Sequence, residues 1–218
     1  MRVPMKCLIA ALAATVSVTL VASPQAPPPA ANLAQAIQAH YAAVRDFTAD
    51  FTHAYKGGLL PQTTVEYGKV RIKKPGRMRW TYTRPEFKEI VADGRLLYTY
   101  IKADRVCYVS DLPTGDQAPT ALQFLTGKGD LVRDFTAALA PNQSASEWRL
   151  QLTPITRQAD YVRLTIGVDP KSLRMITLES IDADEGKSAF TFANLRENVS
   201  VPDKEFLFAP PKGVDVIR

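Results

Sequence analysis

The stretch KVRIKKPGRMRW, residues 69–80, decides the fold class. Val70 and Ile72 alternate with Lys69, Arg71 and Lys73, and after a break Met78, Trp80 and Tyr82 alternate with Arg77, Arg79 and Thr81. A period of two sends successive side chains to opposite faces of an extended chain, so both runs read as strands. Lys74, Pro75 and Gly76 separate them, where proline withdraws a backbone donor and glycine permits a turn. The unit is a hairpin with an apolar face for a core and a basic face, Lys69, Arg71, Lys73, Arg77 and Arg79, expected to look into solvent.

The alternation extends both ways. Upstream, FTADFTHAY sets Phe47, Ala49 and Phe51 against Thr48, Asp50 and Thr52. Downstream, FKEIVADGRLLYTYI is two runs joined by Asp93 and Gly94, a dipeptide that favours a type I′ hairpin turn, and RVCYVS follows a turn at Ala103 and Asp104. From Trp148 the same period returns in EWRLQLTP, DYVRLTIGVD, LRMITLESID and KSAFTFAN, and the chain closes with PPKGVDVIR. Two regions break the pattern. ANLAQAIQAHYAAVRDF places Leu33, Ile37, Tyr41, Val44 and Phe47 at helical spacing, with Asn32 as the expected N-cap. APTALQFLTGKGDLVRDFTAALA predicts two short amphipathic helices, 119–125 carrying Leu122 and Leu125, and 130–139 carrying Leu131, Phe135 and Leu139. About eleven strands and three helices result, without an internal repeat. Successive antiparallel strands with inserted helices imply a mainly β domain: one large curved sheet whose apolar face the helices must cover.

The chain has 218 residues, 46% of them hydrophobic, enough for one domain with a full core. Arg2 and Lys6 precede CLIAALAATVSVTLVAS, residues 7–23, which reads as a secretory signal peptide over 1–23; a membrane span needs about 20 apolar residues. A proline-rich leader, 24–31, and a single domain, 32–218, follow. Loss of Arg2 and Lys6 takes the formal charge from +5 to +3, an excess too small to argue for nucleic acid. Cys107 is then the one cysteine left, and it reads as a buried structural thiol. His40 and His53 have no metal-ligating spacing, and Ser110 and Ser188 lack a nucleophile elbow. GKS at 186–188 lacks the upstream glycine of a phosphate loop, since Ile181 stands there, and DADEG at 182–186 is a hairpin turn rather than a calcium loop. No catalytic residue, metal or cofactor is expected, and the chain does not read as an enzyme.

Five segments in register, KKPGRMRW, VADGRLLYTY, ALQFLTGKGDLVRDF, LTIGVDPKSLRMITLESID and EFLFAPPKGVDVI, resemble the periplasmic outer-membrane lipoprotein carrier family, LolA, over nearly all of 33–218. The resemblance implies an unclosed antiparallel barrel of about eleven strands with a lid of three helices over an apolar cavity. It implies a monomeric carrier in the Gram-negative periplasm that takes the acyl chains of lipoproteins from an inner-membrane ABC transporter to an outer-membrane acceptor. On this expectation Leu33, Ile37, Leu122, Leu125, Phe135 and Leu139 face Phe47, Phe51, Val70, Ile72, Met78 and Trp80 across the cavity. The family carries a basic residue before the turn proline, usually arginine, whose bonds to lid carbonyls hold the lid shut; here it is Lys74, which lacks the planar five-donor fork. The family's aromatic three positions after that proline is Met78, and Trp80 matches directly. The basic row would steer the carrier toward acidic surfaces. Two other readings stay open: a carrier of another lipid or glycolipid, and a sensory module that binds lipoprotein signals.

Overall fold

A computed structural model describes residues 26–57, 62–112, 129–158 and 160–218. Twelve strands form one sheet: β1 Asp46–Lys56, β2 Thr63–Lys73, β3 Arg77–Arg84, β4 Lys88–Asp93, β5 Leu96–Ile101, β6 Val106–Asp111, β7 Phe135–Leu139, β8 Trp148–Pro154, β9 Arg163–Val168, β10 Met175–Ile181, β11 Lys187–Glu197 and β12 Asp215–Ile217. Their order is β12-β6-β5-β4-β3-β2-β1-β11-β10-β9-β8-β7, so β12 and β7 are edges and the sheet does not close. Two meanders, β1 to β6 and β7 to β11, join where β1 pairs with β11. Every ladder is antiparallel except that of β12, which runs parallel to β6.

The alternation in the sequence becomes two faces. Phe47, Ala49, Phe51, Val70, Ile72, Met78, Trp80 and Tyr82 are buried on the inner one, where they join Leu150, Leu152, Leu164 and Ile166 in a continuous core. Each fully buried Leu or Ile contributes about 1.5–3 kcal/mol. The β2–β3 turn is the three residues 74–76, with Gly76 in the left-handed region at φ +71°, where a side chain is disfavoured. At Asp93 and Gly94 the turn differs from the expected type I′. Only Gly94 has positive φ, and the Asp93 carboxylate instead accepts from the N–H groups of Arg95 and Leu96, both at 2.8 Å.

Two α-helices stand among the described residues, beside a single 3-10 turn at Asp203–Phe206. α1, Ala30–Ala43, starts before the expected cap: Pro29 is the N-cap, its carbonyl accepting from Leu33 N–H at 3.0 Å, and Ala30 and Ala31 belong to the helix rather than to the leader. It ends at Val44, whose backbone is extended, so Phe47 lies on β1 and not on the helical stripe. α2 is only Leu131–Asp134, capped by the Asp130 carboxylate, which accepts from Val132 and Arg133 N–H. The helix expected over 130–139 stops there because Phe135–Leu139 pairs with β8, the ladder supplying the backbone partners that further helix would have supplied. The helix predicted at 119–125 lies outside the described residues.

Candidate functional site

α1 lies on the inner face with its stripe of Leu33, Ala34, Ile37 and Tyr41 buried, against α2, β7 and β8. Three polar contacts near its C-terminal end and one on its middle turn fix it. Lys74 Nζ donates to the Tyr41 carbonyl, Met175 N–H donates to the Tyr41 hydroxyl at 2.8 Å, and His40 Nε2 lies 3.0 Å from Glu197 Oε1. On the middle turn Gln38 Oε1 accepts from Leu131 N–H at 2.9 Å, which couples α1 to α2. The Tyr41 carbonyl, in the last turn of α1, accepts from the C-cap Val44 N–H at 3.3 Å, and the Lys74 ammonium adds a second, charged donor to it. Burial holds Lys74 below the ordinary lysine range and pushes the Tyr41 hydroxyl up. A cleft of about 600 Å³ opens beside this contact, lined by Val44, Arg45, Lys73, Lys74, Pro75 and Val201 among others.

The sequence-predicted inner residues Leu33, Ile37, Phe47, Phe51, Val70, Ile72, Met78, Trp80 and Phe135 meet in this one core. Leu139 does not join them. It shares the parity of Phe135 on β7, but β7 is an edge strand and Leu139 lies at its far end, 39% exposed. Leu122 and Leu125 lie outside the described residues. Away from α1 the inner face is aromatic: Phe51 meets Trp80 and Tyr82 edge-on with centroids 5.1 and 4.9 Å apart, and Phe190 stacks parallel to Phe192 at 6.3 Å.

The basic row is not the free cationic surface expected of it. Lys69 pairs with Asp50 at 3.4 Å, Arg71 with Glu205 at 3.4 Å, Lys73 and Arg77 with Asp203 at 2.5 and 3.2 Å, and Arg79 with Glu89 at 2.9 Å. The C-terminal segment lies along four of these five cations. Lys73 also donates to the Val201 carbonyl at 2.8 Å and Arg79 to that of Glu205 at 3.0 Å, while Phe206 is buried beneath. The overlooked signal is the period-two spacing of Asp203 and Glu205 after Pro202, complementary to alternating cations on β2. Cys107 is fully buried, and burial raises its pKa.

The profile of the family described as outer membrane lipoprotein carrier protein LolA matches residues 42–209. The chain belongs to the LolA family. Two relatives, both named outer-membrane lipoprotein carrier protein, are similar along most of their length. That of Cupriavidus pinatubonensis is 29% identical, with 84% of this chain and 85% of the relative covered. That of Albidiferax ferrireducens is 30% identical, with 79% and 83% covered. A solved structure of an uncharacterized conserved protein from Thermus thermophilus superposes with a TM-score of 0.52 at 11% identity, covering 85% of this chain and 98% of that one, which supports the fold. In LolA terms, the open twelve-stranded sheet and α1 are in place, with Lys74 bonded to the end of that helix.

Proposed function

We propose that this LolA-family protein carries lipoproteins through the periplasm, shielding their acyl chains between the inner face of the sheet and a lid that includes α1 and α2. The family match over 42–209 carries the reading. It is supported by the way α1 is mounted: an apolar stripe over an apolar sheet, held by a handful of polar contacts clustered near one end. Such a cover can leave the face without unfolding the strands beneath it.

The physical need is plain. At about 0.8 kcal/mol per methylene, exposing one chain of about 16 carbons to water costs roughly 13 kcal/mol, so an acylated protein does not cross an aqueous space unaided. Non-covalent binding saturates near ~18–21 kcal/mol, less than three fully shielded chains would represent, so a reusable carrier competes with its own cargo. The lid supplies that competition by filling the face when cargo is absent. An inner-membrane ABC transporter loads the carrier and an outer-membrane acceptor unloads it, and the chain is exported by the signal peptide at 1–23.

The test is to purify the protein from its native envelope and take mass spectra of what co-elutes. Triacylated lipoprotein supports the proposal. A free lipid or glycolipid alone would replace it with a different carrier, and an empty protein that releases no lipoprotein from inner-membrane vesicles would remove it.

A further inference from the structure

At the end of β1 remote from the Lys74 contact, the aromatic inner face carries an island of polar side chains from four strands. His53 on β1 has Nδ1 3.0 Å from Glu66 Oε2 on β2 and Nε2 2.9 Å from Ser188 Oγ on β11. Glu66 Oε1 accepts from Lys88 Nζ on β4 at 2.6 Å, and the same ammonium stands 4.2 Å from the centroid of the Tyr82 ring. His53 stacks on Phe190 with centroids 4.1 Å apart and planes 3° from parallel. The cross-strand pairings His53 with Glu66 and Tyr82 with Lys88 put these groups on the same face as Phe51 and Trp80.

The island is internally paired, yet donors remain. Burial keeps His53 below the ordinary imidazole value against the pull of Glu66, so its neutral form donates from Nδ1 to Glu66 and accepts the Ser188 hydroxyl at Nε2. Lys88 spends one of its three N–H groups on Glu66, which leaves two facing the surroundings of a side chain that is 30% exposed. With Glu66 and Lys88 cancelling, the island is neutral: it suits an uncharged acceptor better than a free anion. The order serine, histidine, glutamate is that of a hydrolase relay. Ser188, however, sits inside a strand paired on both sides, with Tyr55 and with Ser180, which offers no pair of free amides to hold an oxyanion. The chemistry here is binding.

We propose that Lys88, positioned by the Glu66 carboxylate that His53 and Ser188 hold in place, forms a polar anchor for the carbonyl oxygen of an acyl ester or amide whose hydrocarbon chain runs along Phe51, Trp80 and Phe190. This rests on the carrier reading and deepens it: the face recognises where an acyl chain ends, in addition to burying it. From His53 to Phe47 the strand extends ~20 Å, a stretch of apolar inner face along which a chain anchored at Lys88 can lie.

Two amphiphiles of equal chain length separate the possibilities, monopalmitoylglycerol, an ester, and hexadecylglycerol, the ether that lacks the carbonyl. Binding to the purified protein is measured by competition with a fluorescent fatty-acyl probe. The ester is expected to bind about tenfold more tightly, the weight of one hydrogen bond in a sheltered site. Lys88→Met, which keeps the aliphatic stem, is expected to bring the ester to the affinity of the ether while leaving the ether unchanged. Ser188→Ala, which removes no donor free to reach the ligand, is expected to leave the gap in place, and thermal unfolding confirms that both variants fold. Equal affinity of the wild type for ester and ether overturns the anchor and leaves the carrier reading standing. A preference that survives Lys88→Met also overturns it. Failure of the wild type to bind either compound overturns the anchor and the carrier reading together.

Discussion

The ammonium of Lys74 donates to the backbone carbonyl of Tyr41, tying the turn between β2 and β3 to the end of α1. The contact bridges the sheet and the element that covers it, adding a charged donor to a carbonyl whose backbone partner, the Val44 N–H, stands at 3.3 Å. Lys74→Met is therefore expected to loosen α1 by about 1–2 kcal/mol, since bonds to charged donors sit at the upper end of the hydrogen-bond range. Hydrogen exchange reads this as roughly tenfold faster exchange of α1 amides with the β1–β2 ladder unchanged. Lys74→Arg keeps a donor in place and is expected to leave α1 as protected as before, and uniform loss of protection across the sheet would mean that Lys74 supports the fold and not the cover.

Phe51 pairs across strands with Gly68, and its ring lies over the missing side chain. A Cβ there would stand 2.2 Å from the Thr81 carbonyl oxygen and 2.6 Å from the Phe51 ring. The carbonyl belongs to the β3 backbone and cannot turn away. Gly68→Ala is expected to cost about 3 kcal/mol through overpacking, seen as a lower urea midpoint at unchanged slope.

Charge on the outer face divides into structural and idle. Glu89 accepts from Arg79 at 2.9 and 3.0 Å and from Thr81 at 3.0 Å, and Arg79 reaches on to the Glu205 carbonyl. Glu89→Ala is expected to cost about 2–3 kcal/mol, because a half-buried guanidinium loses its paired carboxylate. Lys69, 64% exposed and 3.4 Å from an exposed Asp50, is the contrast: Lys69→Glu is expected to leave the urea midpoint within error.

Acid acts through His53. Its folded-state pKa lies below the ordinary 6.5 because burial disfavours the imidazolium. The unfolded chain therefore takes up the proton first, and stability present above about pH 6.5 is lost as pH falls through the folded value. The carboxylates held low, among them Asp93 and Asp169, titrate below 3.8 and leave this window clear. Urea midpoints measured from pH 7 to pH 5 are expected to fall, and His53→Gln is expected to flatten that slope; an unchanged slope in the variant would assign it to another group.

Much of the fold is legible locally because a strand buried on one face must alternate, and residues 69–73 and 77–82 do so on either side of the turn. The helix over 130–139 was misread for the converse reason. FTAAL has no strong preference of its own, and the choice was made by β8, which supplies backbone partners from residues 150–154. The basic row differs likewise: its alternation is local, whereas Asp203 and Glu205, the acids that pair with Arg71, Lys73 and Arg77, stand more than a hundred residues later.

By itself the sequence determined the faces. Period two sorted inner from outer side chains on β1, β2 and β3, proline and glycine marked the turn that carries Lys74, and the stripe from Leu33 to Tyr41 marked an element needing an apolar surface to lie on. Only the tertiary structure decided what those faces meet: the Tyr41 carbonyl beneath Lys74, the C-terminal segment across the cations, and the Ser188, His53, Glu66 and Lys88 island assembled from four strands. Alternation and capping are short-range consequences of backbone geometry, written within a few residues. Hydrogen bonds and ion pairs between strands depend on sheet order and register, which a chain acquires when distant segments pair.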